Sequence, residues 1–302
     1  MESNAILVLS ALECGDMEDK ELKQGQVFTG ERALFMSRNL HIKDSMFADG
    51  ESPLKESCNI CVEHSSFQWK YPLWYCRDVE VEDCSFFNMA RAGIWYVDHI
   101  TLKNCLYEAP KGLRRVHGVK LDHVQFTQAA ETLWNCSQVE MHDVTARGDY
   151  FGMGCTDLKI DHFNLVGNYS FDGCKNVEVH HTKMLSKDAF WNCENVTVYD
   201  SYISGEYIGW NSKNVTFINC MIESLQGFCY MDHVVLKNCQ LINTTLAFEY
   251  ATVDADVTTD IDSVKNPTSG RIHCRSIKEL IFDDPNIDPT QTEITEEESH
   301  RS

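Results

Sequence analysis

The sequence predicts an all-β solenoid, a parallel β-helix of about twelve coils with about 19 residues in each coil. Three observations predict it. Apolar residues recur every 19 to 21 positions, apolar and polar residues alternate inside each repeat, and one turn position holds Asn, Asp or His in eleven successive repeats. A fixed period of this size is typical of stacked units that bury their apolar faces only against one another. The fold class therefore decides which side chains line up along the molecule.

The period is defined by a column of apolar residues, which we call the register column. Its twelve positions are Leu40, Ile60, Val79, Ile100, Val119, Val139, Leu158, Val177, Val196, Val215, Val234 and Val253. A second apolar residue follows two positions later, and this alternation predicts a β-strand. Three short strands fill each repeat and leave no room for a helix, which excludes a leucine-rich repeat. Glycine-led hexads are absent, which excludes a left-handed hexapeptide β-helix.

A turn column stands four residues after each of the first eleven register positions. It holds Asp44, His64, Asp83, Asn104, His123, Asp143, His162, His181, Asp200, Asn219 and Asn238. These three residue types tolerate the left-handed αL conformation better than other residues with a side chain. We therefore expect a tight bend between the first and second strands of every coil.

With this column, residues 31–260 resemble the right-handed parallel β-helix of the pectin-lyase-like superfamily, in which the second turn carries an asparagine-type ladder. The segments GERALF (30–35), FADGESPLKES (47–57), WKYPLWY (69–75) and the run from Phe171 to Asn219 are similar to an uncharacterised microbial family of that superfamily. The similarity to that family implies no particular activity. The superfamily resemblance implies that a substrate cleft would lie on the strand that enters the register strand.

The ends of the chain break the period. We expect residues 1–30 to cap the first coil, residues 31–260 to form the β-helix and residues 261–284 to supply a last coil or cap. Residues 285–302 are acidic and rich in Pro, Thr and Glu, which predicts a disordered tail.

The amino-acid composition limits which binding partners and which cellular compartment we expect. The net charge is −20, so nucleic acid and anionic membranes are not expected partners, because phosphate binding needs a basic surface. No apolar stretch is long enough for a membrane span. Of the 14 cysteines, several share columns with Val and Met, which indicates reduced core thiols rather than disulfides. With no signal peptide visible, we expect a cytoplasmic protein.

The 12 histidines do not predict a metal site, and no cofactor is expected. Four of them, His64, His123, His162 and His181, occupy the turn column. A single ladder spreads its side chains at ~4.8 Å intervals along the rod, whereas zinc needs converging ligands.

The third segment of each repeat carries the candidate binding surface. One column there holds Trp74, Trp95, Arg114, Trp134, Met153, Asp172, Trp191, Trp210, Cys229 and Phe248. Arg114 and Asp172 would need partners inside a narrow core, so we expect this column to face outward. An outward Trp column flanked by charges is typical of a sugar-binding surface. The alternatives are an inward aromatic stack, and an interface for self-association or a protein partner.

The predicted function is therefore binding, with cleavage as a further hypothesis. The expected ligand is an oligosaccharide or other sugar-containing ligand, and the alternative is a non-catalytic scaffold that forms a homo-oligomer. The substrate-binding candidates are Trp74, Trp95, Trp134, Trp191, Trp210, Lys70, Asp149, Lys187 and Glu206. For a glycoside hydrolase or polysaccharide lyase, the catalytic candidates are Asp172, Glu131 and Arg114, since glycoside hydrolysis needs two carboxylates about 5–10 Å apart.

Overall fold

The fold is a parallel β-helix of 15 coils, seen in a computed structural model that describes residues 20–297. Each coil contributes one strand that carries the register column, and we call it the register strand. Successive register strands pair in parallel. They are Glu21–Gln24, Arg38–Lys43, Cys58–Glu63, Arg77–Glu82, Asp98–Lys103, His117–Asp122, Ser137–Arg147, Thr156–Val166, Lys175–His180, Glu194–Tyr199, Lys213–Ile218, Asp232–Thr245, Thr252–Val257, Ser269–Cys274 and Thr292–Glu296.

The other two sides of the helix hold shorter strands. The second side holds Val27–Phe28, Met46–Phe47, Ser66–Phe67, Ser85–Phe86, Leu106–Tyr107, Gln125–Phe126, Lys183–Leu185, Tyr202–Glu206 and Met221–Leu225, and in three coils it continues the register strand. The third side holds Leu73–Trp74, Ile94–Trp95 and Leu113–Arg114. Near the carboxyl end, Asp260–Lys265 pairs with Ser276–Ile281, and a 3₁₀ helix spans Pro289–Gln291. No helix within residues 20–297 has the length and apolarity needed to cross a membrane.

The predicted register is confirmed at all twelve positions, because each register residue is the Cα partner of the next one in the following coil. The predicted number of coils was too low. Glu21 pairs with Leu40 and so adds one coil before the predicted series. Gly270 pairs with Val253, and Thr292 pairs with Gly270, which adds two more after it.

These added coils correct the predicted ends. The solenoid begins within the segment expected to cap it, and Thr292–Glu296 is a paired strand in the segment expected to be disordered. Backbone pairing with the coil before it orders this strand although its composition is acidic. The parts of the predicted cap and tail at 1–19 and 298–302 lie outside the described residues.

The core consists of side chains stacked in columns. On the second side, aromatic rings lie face to face with centroids 4.6 to 4.9 Å apart; they are Phe28, Phe47, Phe67, Phe86 and Tyr107. The register residues from Leu40 to Val253 are all buried. Each fully buried apolar side chain of this size stabilises the fold by roughly 1.5–3 kcal/mol.

The turn column has the predicted conformation. All eleven of its residues have positive φ, from 47° at His64 and Asp200 to 54° at His162 and Asn219. Neighbouring amides along it are hydrogen-bonded, as from Asn238 Nδ2 to Asn219 Oδ1 at 2.9 Å. The column therefore bends the chain and also joins successive coils.

The cysteines of the described residues lie mainly in the core. Twelve of them are free thiols, and all of these except Cys61 are buried. Burial raises the pKa of the Cys193 thiol to about 12, so this thiol stays neutral. Cys58 departs from the reduced state expected for every cysteine, because it is disulfide-bonded.

Candidate functional site

The tryptophan column faces outward on the third side of the β-helix, as the sequence predicts. Its tryptophans are half-buried, whereas Leu73, Leu133 and Phe171 in the preceding column are fully buried. Four indole Nε1 atoms donate a hydrogen bond to a backbone carbonyl of the next coil. The distances are 2.6 Å from Trp74 to Ala92, 3.0 Å from Trp95 to Lys111, 2.6 Å from Trp134 to Tyr150 and 2.8 Å from Trp191 to Tyr207.

The first part of this column is a closed stack. The rings of Trp74 and Trp95 are parallel within 5° and 5.2 Å apart. The Arg114 guanidinium follows, with Cζ 4.7 Å from the Trp95 centroid and 4.4 Å from the Trp134 centroid. Because these groups cover one another's faces, a sugar ring cannot lie flat on Trp95. In this part of the column, the predicted substrate-binding residues Trp74, Trp95 and Trp134 therefore pack on one another and on Arg114.

A second stack begins three coils after Trp134. Trp191 lies 6.0 Å from Trp210, with an angle of 29° between the rings. Trp210 then contacts Tyr230 at 4.7 Å, and Tyr230 contacts Tyr250 at 5.2 Å. The face of Trp191 toward the later coils is thus covered, and its other face points toward the coil of Asp172.

Between the two stacks the column is interrupted over two coils, and we call this interruption the aromatic gap. Met153 and Asp172 stand where indoles stand elsewhere. The next column, which holds Asn135 before the gap, has Gly154 and Gly173 inside it. A Cβ placed on Gly173 would meet nothing nearer than the Cα of Gly154, at 4.0 Å. The space beside Gly173 is therefore open, whereas a Cβ placed on Gly154 would meet Asn135 Oδ1 at 2.6 Å.

Two tyrosines form one side of the gap. The rings of Tyr150 and Tyr169 are stacked with centroids 4.8 Å apart. Tyr169 also approaches Trp191 edge-on at 6.5 Å. Elsewhere the tyrosine of this column packs on the tryptophan three residues later, as Tyr71 does on Trp74 at 4.6 Å. In the two coils of the gap that tryptophan is missing, so the tyrosine rings border open space.

Of the three catalytic candidates, Glu131 and Arg114 are in contact, whereas Asp172 lies apart from them. The Glu131 carboxylate forms ion pairs with Arg114 at 3.3 Å and with Lys111 at 3.1 Å. Asp172 Oδ1 accepts a hydrogen bond from Asn192 Nδ2 at 2.8 Å. Asp172 and Glu131 lie in different columns two coils apart, which is roughly 10 Å along the axis alone. That separation along the axis is already at the upper limit of the range of about 5–10 Å in which two carboxylates act on one glycosidic bond.

The polar binding candidates are occupied by local interactions. Lys187 and Glu206 form an exposed ion pair at 2.8 Å. Lys70 pairs with Glu51 at 3.1 Å. Asp149 Oδ1 accepts the backbone N–H of Asn168 at 2.8 Å. Asp172 stands in the gap itself, because it occupies a position of the tryptophan column.

One carboxyl group near the gap was not predicted. Asp188 occupies the tyrosine column one coil after Tyr169, and it is only 7% exposed. Burial, and then the nearby Glu206 carboxylate, raise the pKa of Asp188. The sequence signal was an acidic residue in a column that holds tyrosine in the coils before and after it.

A second cluster of titratable groups lies at the first turn. Asp122 Oδ1 lies 2.7 Å from His123 Nδ1 and 3.1 Å from His142 Nδ1. The turn column by itself would spread its histidines along the rod, as expected from the sequence. Here the column just before it, which includes Asp122 and His142, also holds Asp and His, so ligand atoms of neighbouring coils converge.

A shallow concavity also lies on the outer face of the register strands. Glu140, Lys159 and Glu178 alternate in charge along it. Alternating exposed charges of this kind are typical of a solvated sheet face, with ion pairs worth little individually. We therefore place the candidate binding site at the aromatic gap.

Comparisons with known proteins give a family and distant similarities of fold. The family described as "Protein of unknown function (DUF3737)" matches residues 21–295. No curated protein gives a significant match. Among solved structures, the A-module of the mannuronan C-5 epimerase AlgE4 from Azotobacter vinelandii is similar at 10% identity and a TM-score of 0.28, over 93% of this chain and 90% of that one.

Two further solved structures are similar at the same level. The surface adhesin PfbA of Streptococcus pneumoniae has 6% identity and a TM-score of 0.34, over 86% of this chain and 81% of that one. The catalytic domain of a GH87 α-1,3-glucanase in complex with nigerose has 10% identity and a TM-score of 0.28, over 91% of this chain and 63% of that one. Similarities this distant carry no argument about the activity of this chain.

Proposed function

The chain belongs to the family described as Protein of unknown function (DUF3737), and from its own surface we propose that it binds a neutral saccharide in the aromatic gap. One observation carries the proposal. The outward aromatic column is interrupted over two coils by small residues, so that each of the flanking stacks ends in an indole that faces the gap.

The size of the gap suits a sugar ring. Trp134 and Trp191 are three coils apart, which is roughly 14 Å at the spacing of neighbouring strands. A flat ring in van der Waals contact with an indole needs about 4 Å between the two planes. Met153 takes up part of the room beside Trp134, so the open part lies over Asp172 and Gly173, next to Trp191. A pyranose ring has apolar C–H faces that pack on such an indole face.

Polar groups around this position can hold the hydroxyls of the sugar. Asp172 Oδ1 is engaged by Asn192, whereas Oδ2 has no hydrogen-bond partner among residues 20–297. A carboxylate oxygen accepts hydrogen bonds from sugar hydroxyls. Asp172, the nearby Asp188 and the net charge of −20 oppose an anionic ligand, which favours a neutral sugar over a uronic acid.

The position of the gap agrees with the resemblance stated from the sequence. The gap lies in the segment that enters the register strand, the position at which the pectin-lyase-like superfamily carries its substrate cleft. The proposal is limited to binding. The predicted partner of Asp172 in glycoside hydrolysis, Glu131, is two coils away and is paired with Arg114.

The test is to fill the gap without disturbing the fold. Gly173 has φ of +70°, and asparagine occupies the same column with φ of 52° at Asn192 and 56° at Asn211. Gly173→Asn should therefore fold and place a side chain in the gap. Binding of a panel of neutral and uronic oligosaccharides is measured by calorimetry and by tryptophan fluorescence. We expect a neutral oligosaccharide to bind and Gly173→Asn to weaken it about tenfold or more, or 1.4 kcal/mol.

The matched control is a tryptophan of the same column outside the gap. Trp191→Leu removes the proposed platform and should abolish binding, whereas Trp74→Leu in the closed stack should leave it unchanged. Failure of every neutral sugar to bind, or equal binding by Gly173→Asn and the wild type, would overturn the proposal. A dimer in sedimentation that Gly173→Asn disrupts would also overturn it, and would assign the gap to self-association.

A further inference from the structure

We propose that the chain binds one divalent transition-metal ion, of the Zn²⁺, Ni²⁺ or Cu²⁺ class, at Asp122, His123 and His142. These residues lie at the first turn of two neighbouring coils, on a different side of the helix from the aromatic gap. One carboxylate oxygen and two imidazole nitrogens are a ligand set that suits this class of ions.

The geometry of the three groups is convergent. Asp122 Oδ1 lies 2.7 Å from His123 Nδ1 and 3.1 Å from His142 Nδ1. The three ligand atoms all lie within 4.8 Å of one another. Both imidazoles direct Nδ1 toward Asp122 Oδ1. A metal ion bound among these three atoms would therefore replace the hydrogen bonds that now join them. Bonds of about 2.0–2.2 Å to nitrogen and oxygen require only small side-chain rotations.

The fold does not by itself explain this arrangement. His123 belongs to the turn column, where αL geometry favours His, Asp or Asn. Asp122 and His142 belong to the column just before it, which has no such requirement. Other coils place Lys43, Lys103 and Ile218 in that column. Asp and His alternate in both columns only over the three coils that contain residues 122–162.

A neighbouring group shares one ligand with the first. His142, Asp161 and His162 also have ligand atoms within 4.8 Å of one another. Asp161 Oδ1 lies 2.9 Å from His162 Nδ1. Because His142 takes part in both groups, the pair of groups should hold one ion rather than two, and His142 is the residue on which binding depends.

Two other groups of the described residues are weaker candidates. In the group of Asp98, His99 and His117, the Nδ1 of His117 is hydrogen-bonded to Ser137 Oγ at 2.9 Å. The group of His41, Cys61 and Glu63 contains a thiol whose pKa is raised to about 11, mainly by burial, so this thiol resists the deprotonation that metal binding needs. A Cys61→Ser background removes that group from the test.

The experiment is calorimetric titration of Zn²⁺ alone into the full chain, without an affinity tag, in the Cys61→Ser background. We expect His142→Gln to remove one equivalent of bound zinc or to weaken its binding about tenfold or more, or 1.4 kcal/mol. His123→Asn should also weaken binding and should keep the fold, because Asn occupies the same column at Asn104, Asn219 and Asn238.

The matched control is His180→Gln, in the same column as His142 but outside both groups. His180 contacts Glu178 and stacks on Tyr199, and its replacement should leave zinc binding unchanged. Nitrogen hyperfine splitting in the Cu²⁺ electron paramagnetic resonance spectrum should report two imidazoles in the wild type and fewer in His142→Gln. Absence of zinc binding, or unchanged stoichiometry and affinity in His142→Gln, would overturn the inference.

Discussion

Replacing Arg114 with alanine should lower the free energy of unfolding by about 2–3 kcal/mol, from two cation–π contacts of roughly 1 kcal/mol each and one ion pair. The Arg114 guanidinium lies between two indoles, with Cζ 4.7 Å from the Trp95 centroid and 4.4 Å from the Trp134 centroid. Its side chain is 21% exposed, so the contacts are partly desolvated. The ion pair with Glu131 contributes about 0.5 kcal/mol, because Glu131 also pairs with Lys111.

A methionine at the same position separates charge from packing. Arg114→Met keeps most of the length that fills the space between the indoles. Arg114 Nε is buried without a hydrogen-bond partner among residues 20–297, and removing such an unsatisfied group recovers about 1 kcal/mol. Methionine sulfur also contacts aromatic rings favourably, by roughly 0.3–1.5 kcal/mol. We therefore expect Arg114→Met to be within about 1 kcal/mol of the wild type.

The assay is urea unfolding followed by circular dichroism and tryptophan fluorescence, together with hydrogen exchange of the amides in Leu113–Arg114 and Ile94–Trp95. Hydrogen exchange is needed because a solenoid can open locally. If Arg114→Ala unfolds within 0.5 kcal/mol of the wild type, or if the methionine variant is as unstable as the alanine variant, the cation–π account of this stack is refuted.

Three further outcomes are expected. Phe67→Ala should destabilise the fold by about 3–5 kcal/mol in urea unfolding, because Phe67 is fully buried and stacks on Phe47 and Phe86; a loss under 1 kcal/mol would contradict this. His181→Val should cost about 1–2 kcal/mol and His181→Asn much less, because the position has φ of 48°; equal thermal stability of the two variants would contradict the αL argument. Burial raises the pKa of Asp188, so the unfolded state loses its proton first and stability falls as pH rises from about 3.8 through the folded-state pKa. Asp188→Asn should therefore be more stable than the wild type at pH 7 but not at pH 3, and a melting-temperature gain that persists unchanged at pH 3 would contradict it.

The repeat made the central coils predictable from the sequence. A strand of one coil pairs with the same strand of the next, so one apolar position per repeat is enough to set the register, as Val177, Val196 and Val215 do. The turn column was predictable for a related reason. Only a few residue types accept positive φ, and that restriction is visible in the amino-acid sequence of the turn column.

The outer coils were not predictable, because their repeats change length and lose the apolar register residue. Arg271 pairs with Asp254 across 17 residues, and His273 pairs with Thr295 across 22. Glu21, Gly270 and Thr292 stand where earlier coils have Val, Ile or Leu. Backbone pairing continues there without the side-chain signal that sequence patterns depend on.

The candidate sites were predictable only in part. The sequence placed Met153 and Asp172 among tryptophans, but it could not show that the indoles stack on one another, because ring orientation depends on the neighbouring coils. The same limit applied to His123 and His142. Their convergence on Asp122 depends on the spacing of two adjacent columns, and the turn column had been considered alone.

Uniform parallel pairing has a consequence for the size of the molecule. Val215 pairs with Val196 on one side and with Val234 on the other, in the same register. Duplicating or deleting one whole repeat would therefore give every new neighbour the contacts of an old one, and would change the rod by about 4.8 Å. Proteins built in this way can evolve toward longer or shorter forms by copying or losing a short piece of gene, without redesign of the interior.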